Sequence, residues 1–161
     1  MQNSERQIAV INAILFTEDS LSIYDLYITD QRLVVIDSKD FYGGGGLNWV
    51  LFGSNLLDAI EQSDEATAKK QKELKEEFES LSLDEKLKSR WKNFAINYED
   101  VIQIVLNDPH SRWRKAILKI ISEKKKAKFQ PTKEQCEQLT NILPNIQALW
   151  GKVIINSKKV I

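Results

Sequence analysis

Hydrophobic positions alternate near the start of the chain, recur at helical spacing in its middle, alternate again, and return to helical spacing before the end. Between residues 8 and 38, IAVINAILF is followed by the breaker TEDS and then by two β-rich runs, 23–29 and 32–36, separated only by Asp30 and Gln31. β-branched and aromatic residues at period two suit a pleated, half-buried surface, and so short a gap predicts a hairpin. Tyr24, Leu26 and Ile28 alternate with Asp25, Tyr27 and Thr29, giving one apolar face and one amphipathic face.

The middle of the chain reads as helix. In SDEATAKKQKELKEEFESL, Ser63 is a fitting N-cap and acids come early, but only Leu74, Phe78 and Leu81 form an apolar stripe, so this helix is mostly solvated. Ser82 and Glu85 then have capping-box spacing, in which serine and glutamate satisfy each other's backbone N–H groups, and Leu83, Leu87 and Trp91 form the stripe of a short second helix.

Alternation returns in NFAINYEDVIQIVLND, where Ile102, Ile104 and Leu106 are expected on one face, followed by a turn at Asp108 and Pro109. The apolar run 116–121 and a short arm ending at Phe129 flank a polar tip at 123–125, a further hairpin. Thr132 and Gln135 make another capping box after Pro131, and Cys136, Leu139, Ile142, Leu143 and Ile146 trace the buried face of a closing helix. Pro144 is expected to kink or divide that helix and Gly151 to end it.

The element order, strands then helices then strands then a last helix, fits one domain over residues 1–161, and 161 residues can bury a real core. Hydrophobic residues at 42% and charged residues at 29% are far from the composition of disorder. A single cysteine excludes an internal disulfide, and no charged-then-apolar leader opens the sequence, so a cytoplasmic location is expected. With one histidine and one cysteine, and neither HExxH nor CxxC, no metal and no cofactor are expected. Net charge is zero, yet residues 1–90 carry ten basic and seventeen acidic side chains and residues 91–161 thirteen and six. Either the two halves complement each other when folded, or the second presents a basic face to an anionic partner.

YDLYITDQRLVVID at 24–37 carries an aromatic and apolar strand, Thr29 and Asp30 at the turn, and Arg32 and Leu33 opening the next strand. With NFAINYEDVIQIVL at 93–106 and FQPTKEQCEQLTNIL at 129–143, it resembles the PH-like family of bacterial and archaeal proteins, related in fold to pleckstrin-homology and GRAM domains. The resemblance covers about residues 8–40 and 91–150. It implies an α+β fold: an orthogonal β-sandwich or partly open barrel of about seven antiparallel strands, with a capping C-terminal helix at about 132–150. It also implies a non-enzymatic module binding lipids, peptides or proteins. The departure is residues 43–90, a Gly-rich and helical insertion whose helical part runs from about 47 to 91.

Within the insertion, FYGGGGLNWVLFGSNLLDAI joins four glycines to an apolar run. A phosphate loop needs a Gly-Lys-Ser or Gly-Lys-Thr end, and no lysine is there. The run from 47 to 60 is fourteen residues, too short for a membrane-spanning helix, which needs about twenty. Trp49, Phe52, Leu56 and Ile60 share one side and, with Leu47, form the candidate interaction surface, which is buried within the domain, meets a protein partner or a second copy, or lies at a membrane surface. Arg112, Arg114 and Lys115, with Lys124, Lys125 and Lys126, are the candidate anion-binding residues. Lys119 and Lys128 belong to the same basic stretch, which alternation is expected to scatter over both faces and the tip. A protein partner or self-association is therefore expected, with an anionic membrane surface as the alternative; no nucleic-acid signature is present. His110 and Cys136 lack a third group fixed beside them, so no catalytic residue is assigned.

Overall fold

The computed structural model describes residues 4–17, 22–38, 65–111 and 113–157. Among them are eight strands: β1 (Gln7–Phe16), β2 (Ser22–Thr29), β3 (Arg32–Asp37), β4 (Phe94–Asn97), β5 (Val101–Asp108), β6 (Ile117–Ser122), β7 (Lys126–Gln130) and β8 (Val153–Ser157). Three α-helices accompany them, α1 (Glu65–Glu79), α2 (Leu83–Lys88) and α3 (Lys133–Ile142). The strands form one open sheet in the order β4-β3-β2-β1-β7-β6-β5-β8.

That order is two antiparallel meanders, β1 to β4 and β5 to β7, joined where β7 returns to β1. The join is narrow, two pairs only, Leu15 with Gln130 and Phe16 with Phe129. Between β4 and β5 the chain turns a corner through a 3-10 helix, Tyr98–Asp100, so the sheet folds over one core. Phe16, Tyr24 and Leu26 from one meander and Ile104, Leu106 and Phe129 from the other lie in a single buried cluster. α3 closes it, contacting β1 and β5, with Cys136, Leu139 and, past the helix, Leu143, Ile146 and Leu149 in the same cluster. This is the α+β, PH-like arrangement.

Local sequence explains most boundaries. Thr132 and Gln135 make the full reciprocal capping box at the start of α3. α3 ends at Ile142, before Pro144, and two 3-10 turns, Leu143–Asn145 and Gln147–Leu149, carry the chain on. Gly151 has φ +81, a left-handed conformation that favours glycine, and it turns the chain into β8. That strand, not foreseen, runs parallel to β5 because the helical segment before it crosses back over the core.

Three expectations need correction. Ile102 does not share a face with Ile104 and Leu106: a bulge between Val101 and Gln103 shifts the alternation, so Val101 is buried and Ile102 is 59% exposed. Trp91 leaves the Leu83 and Leu87 stripe, 89% exposed, because α2 ends at Lys88. At Ser82 the capping interaction is one-sided, the hydroxyl accepting from the Glu85 N–H. Ser63 lies outside the described residues.

The outer face of the first meander is also buried. Tyr27, Val34 and Ile36 form a second cluster with Phe78 of α1 and Leu83 and Leu87 of α2. The end of the insertion thus packs on its own sheet, which is why the amphipathic face of β2 is covered. Arg32 fastens it: its guanidinium donates to both carboxylate oxygens of Glu5, at 2.8 and 3.0 Å, and to Asp84 of α2 at 2.8 Å. That hydrogen bond holds the Asp84 carboxyl below its usual range.

Lys86 of α2 is buried in this layer, its Nζ 4.8 Å from the Tyr27 ring centroid and 5.5 Å from that of Phe78. Burial pulls its pKa below the ordinary lysine value, against the opposing pull of Glu79 and Asp25. Because the folded state favours the neutral amine, the charge costs stability at neutral pH, and stability is regained as pH rises through the lowered pKa toward the unfolded value. Lys86→Met is therefore expected to raise stability by about 1 kcal/mol at pH 7, with the gain shrinking as pH rises toward the unfolded lysine value of 10.5. A lower urea midpoint for the variant at pH 7 would mean that the ring contacts outweigh desolvation.

Candidate functional site

The two meanders differ on their outer faces. The first is covered by α1 and α2; over the second, no described residue forms a covering layer. Alternation sends Ile104, Leu106, Leu118, Ile120, Ala127 and Phe129 inward, so the odd-numbered residues of β5 from Gln103 on and of β6, and the even-numbered ones of β7, face out. Strand register then sets outward residues in rows. Ile154, Val105, Lys119 and Lys128 are successive cross-strand partners, as are Gln103, Ile121 and Lys126 in the row beside them.

Lys119, Lys126 and Lys128 are all exposed, and among the described residues none is ion-paired and no acid shares their face. Lys119 and Lys128 face each other directly. Like charges at that spacing repel, by an amount comparable to the 0.2–1 kcal/mol of a favourable cross-strand pair. An anion lying across the face relieves the repulsion.

At the end of this face toward the β5–β6 loop is a cavity of about 540 Å³. Outward residues Asn107, Ile117, Gln130 and Asn156 line one side, and Pro109, Arg114 and Lys115 of the loop the other. Asn156 Nδ2 donates to Asn107 Oδ1 at 2.8 Å, fixing both amides. Gln130 Oε1 is buried without a hydrogen-bond partner. Arg114 and Lys115 make no ion pair with a described residue, and Trp113 beside them is 93% exposed.

The candidate basic residues are thus divided. Arg114 and Lys115 precede β6 while Lys124, Lys125 and Lys126 follow it, about 20 Å of strand apart. At the tip Lys124 lies 4.0 Å from the Asp100 carboxylate, and Lys125 Nζ sits 3.5 Å from the Phe94 ring centroid, so both have partners already. Lys126 alone of the three joins the outer face. Conversely, Lys119 and Lys128, expected to be scattered, are gathered by register. The signal was present in the sequence: a tip centred between Glu123 and Lys124 sets Lys119 opposite Lys128. Arg112, and Leu47, Trp49, Phe52, Leu56 and Ile60, lie outside the described residues.

His110, with φ 46, has Asp108 and Ser157 for neighbours. A catalytic triad needs the acid on one ring nitrogen and the nucleophile on the other, so that the ring can pass a proton between them. Here both approach Nε2, with Ser157 Oγ at 2.5 Å and Asp108 Oδ2 at 3.5 Å, and that relay is not formed. The Cys136 thiol is buried in the core, and burial first, then Asp108 and Glu137, push its pKa up to about 12, so it stays a thiol at neutral pH. No cluster of three metal-ligating side chains occurs among the described residues, and no helix among them is long and apolar enough to cross a membrane. In a wider polar groove near Glu5, Arg6, Asp30 and Gln147 both carboxylates are engaged, Asp30 by the Arg6 backbone N–H and Glu5 by Arg32 and Thr29.

No family model matches the chain, and no curated protein matches it. Among solved structures, the chain is similar to the Vps36 N-terminal PH domain at 8% sequence identity and a TM-score of 0.44, over 88% of this chain and 77% of that one. A likeness at that score adds nothing to the strand order, and it is from strand order and the closing helix that the PH-like assignment follows.

Proposed function

We infer that this chain is a non-catalytic binding module of PH-like fold that docks an acidic segment of a protein partner on the outer face of β5 to β8. One observation carries the reading: Lys119, Lys126 and Lys128 lie on one face with no acid among the described residues to neutralise them. A purely lipid partner is less well supported by magnitude. Each lysine near an anionic bilayer contributes about 1 kcal/mol, so three give about 3 kcal/mol, short of the two signals that stable attachment needs.

The test is fluorescence anisotropy with a labelled glutamate-rich peptide at low and at raised salt. Salt-sensitive binding that is lost on Lys119→Glu with Lys128→Glu is the expected result. Binding unchanged in that double variant would overturn the reading. Exposed Trp113 supports a second, peripheral-membrane reading, since an interfacial tryptophan beside Arg114 and Lys115 suits an anionic headgroup layer. Flotation with phosphatidylserine vesicles separates the two: vesicle binding without peptide binding would favour the membrane.

The apolar stretch Leu47, Trp49, Phe52, Leu56 and Ile60 is proposed as a self-association surface. Because Phe78, Leu83 and Leu87 pack on β2 and β3, a deletion that tests it must spare α1 and α2. Removing residues 43–64 is expected to halve the molar mass measured by light scattering. An unchanged molar mass would remove that surface from consideration.

A further inference from the structure

We propose that the cavity between the β5–β6 loop and the outer ends of β5, β6, β7 and β8 binds an apolar N-acyl α-amino acid carboxylate, the group a polypeptide presents at its carboxyl end. The proposal rests on the reading of this face as a protein-docking surface and names the chemistry of one of its contacts.

Three features of the cavity point to three parts of such a ligand. Arg114 and Lys115 make no ion pair with a described residue, and a guanidinium fork matches a carboxylate in two parallel hydrogen bonds. Gln130 lines the cavity, and its buried Oε1 accepts no hydrogen bond, an unfavourable state that an incoming donor relieves, so an amide N–H is wanted. Pro109 and Ile117 supply apolar wall, which suits a hydrophobic side chain. Carboxylate, N–H and side chain all belong to one N-acylated residue. The volume of about 540 Å³ falls in the range of small-ligand pockets and admits a terminal residue and its neighbour.

Other groups in the cavity are consistent with this. Asn156 Nδ2 is used on Asn107 Oδ1, which holds the Asn107 amide in place and leaves its own Nδ2 as a further donor. Asp108 would repel a carboxylate, but it is engaged by His110, whose N–H reaches Oδ1 at 3.0 Å. A simple phosphate ester is a poorer match, since it brings no N–H for Gln130 and no apolar body for Ile117.

The experiment is a titration of the full chain, followed by amide NMR and calorimetry, with acetyl-leucine, a neutral hexapeptide ending in leucine as its free acid, and the same hexapeptide amidated at its end. The free acids are expected to bind and to shift the Gln130 side-chain amide and the Trp113 indole signal. Amidation, or Arg114→Gln with Lys115→Gln, should weaken binding at least tenfold, and Gln130→Met about fivefold. Acetyl-leucine binding as tightly as the peptide acid would assign the site to a free small molecule of the same chemistry. Equal binding of acid and amide, or no binding by any of the three, would overturn the proposal. If the glutamate-rich peptide still binds in that event, the docking face stands and only the chain-end contact falls; if it too fails, both fall.

Discussion

Phe129→Ala should lower the unfolding free energy by about 3–5 kcal/mol, the range for removing a buried aromatic ring from a packed core. Phe129 is fully buried, its ring centroid 5.2 Å from that of Phe16, which in turn lies 5.1 Å from Tyr24 and 6.0 Å from Phe94. This ring cluster stands at the seam where β7 meets β1 through only two residue pairs. Little backbone pairing is there to hold the meanders together if the side chains are lost. A cavity at that point therefore removes both burial and the main adhesion between the two halves. Against a total stability of roughly 5–15 kcal/mol, the loss is large, and the melting temperature should fall by about 10 °C or more. Urea denaturation measures it directly. A loss below about 1.5 kcal/mol would mean that the seam is held by something other than these rings.

The second large effect concerns binding. Reversing both Lys119 and Lys128 replaces two attractive contacts to an acidic partner with two repulsive ones. At about 1 kcal/mol or somewhat more per reversed site in low salt, affinity should drop about 30-fold to 150-fold. The fold itself should hardly change, because exposed positions usually alter stability by about 0.5 kcal/mol or less. The single variant Lys119→Glu provides a sharper control. It sets an acid opposite Lys128, a favourable cross-strand pair worth about 0.2–1 kcal/mol, so the melting temperature should rise while binding weakens. Stability and binding moving in the same direction would refute the idea that the lysine pair is kept for a partner at the expense of the sheet.

Much of this architecture was legible in the chain. Apolar and β-branched runs marked β1, β2, β3 and the hairpin of β6 and β7, and alternation gave β2 its apolar face, because each strand has a face in a single core. Thr132 with Gln135, Pro144 and Gly151 marked the start, the division and the end of the closing helical segment, because capping and backbone freedom act over three or four residues. The resemblance to the PH-like family, carried by the hairpin at 24–37 and the segments at 93–106 and 129–143, implied the α+β fold of antiparallel strands with a closing helix, but neither the strand order nor the parallel eighth strand. Less legible was anything that depends on a second element. The bulge that turns Ile102 outward is a mismatch between β5 and β6, invisible in β5 alone. The burial of Tyr27, Val34 and Ile36 depends on where α1 and α2 land. β8 forms a strand because β5 has an unpaired edge for it, and its five residues carry too weak a pattern to announce it.

The candidate site divides along the same line. By itself the sequence determined that the second part of the chain is basic, that Lys119, Lys126 and Lys128 lie on strands, and that Arg114 and Lys115 precede one. Only the tertiary structure decided that these three lysines share a face that no described residue covers, that Lys124 and Lys125 are engaged by Asp100 and Phe94, and that Gln130 lies against the β5–β6 loop with its oxygen unsatisfied. The physical reason is range. Propensity, capping and alternation are written over a few residues, whereas a charged face is a property of register between strands, and a cavity is a property of which distant segments are brought to enclose it.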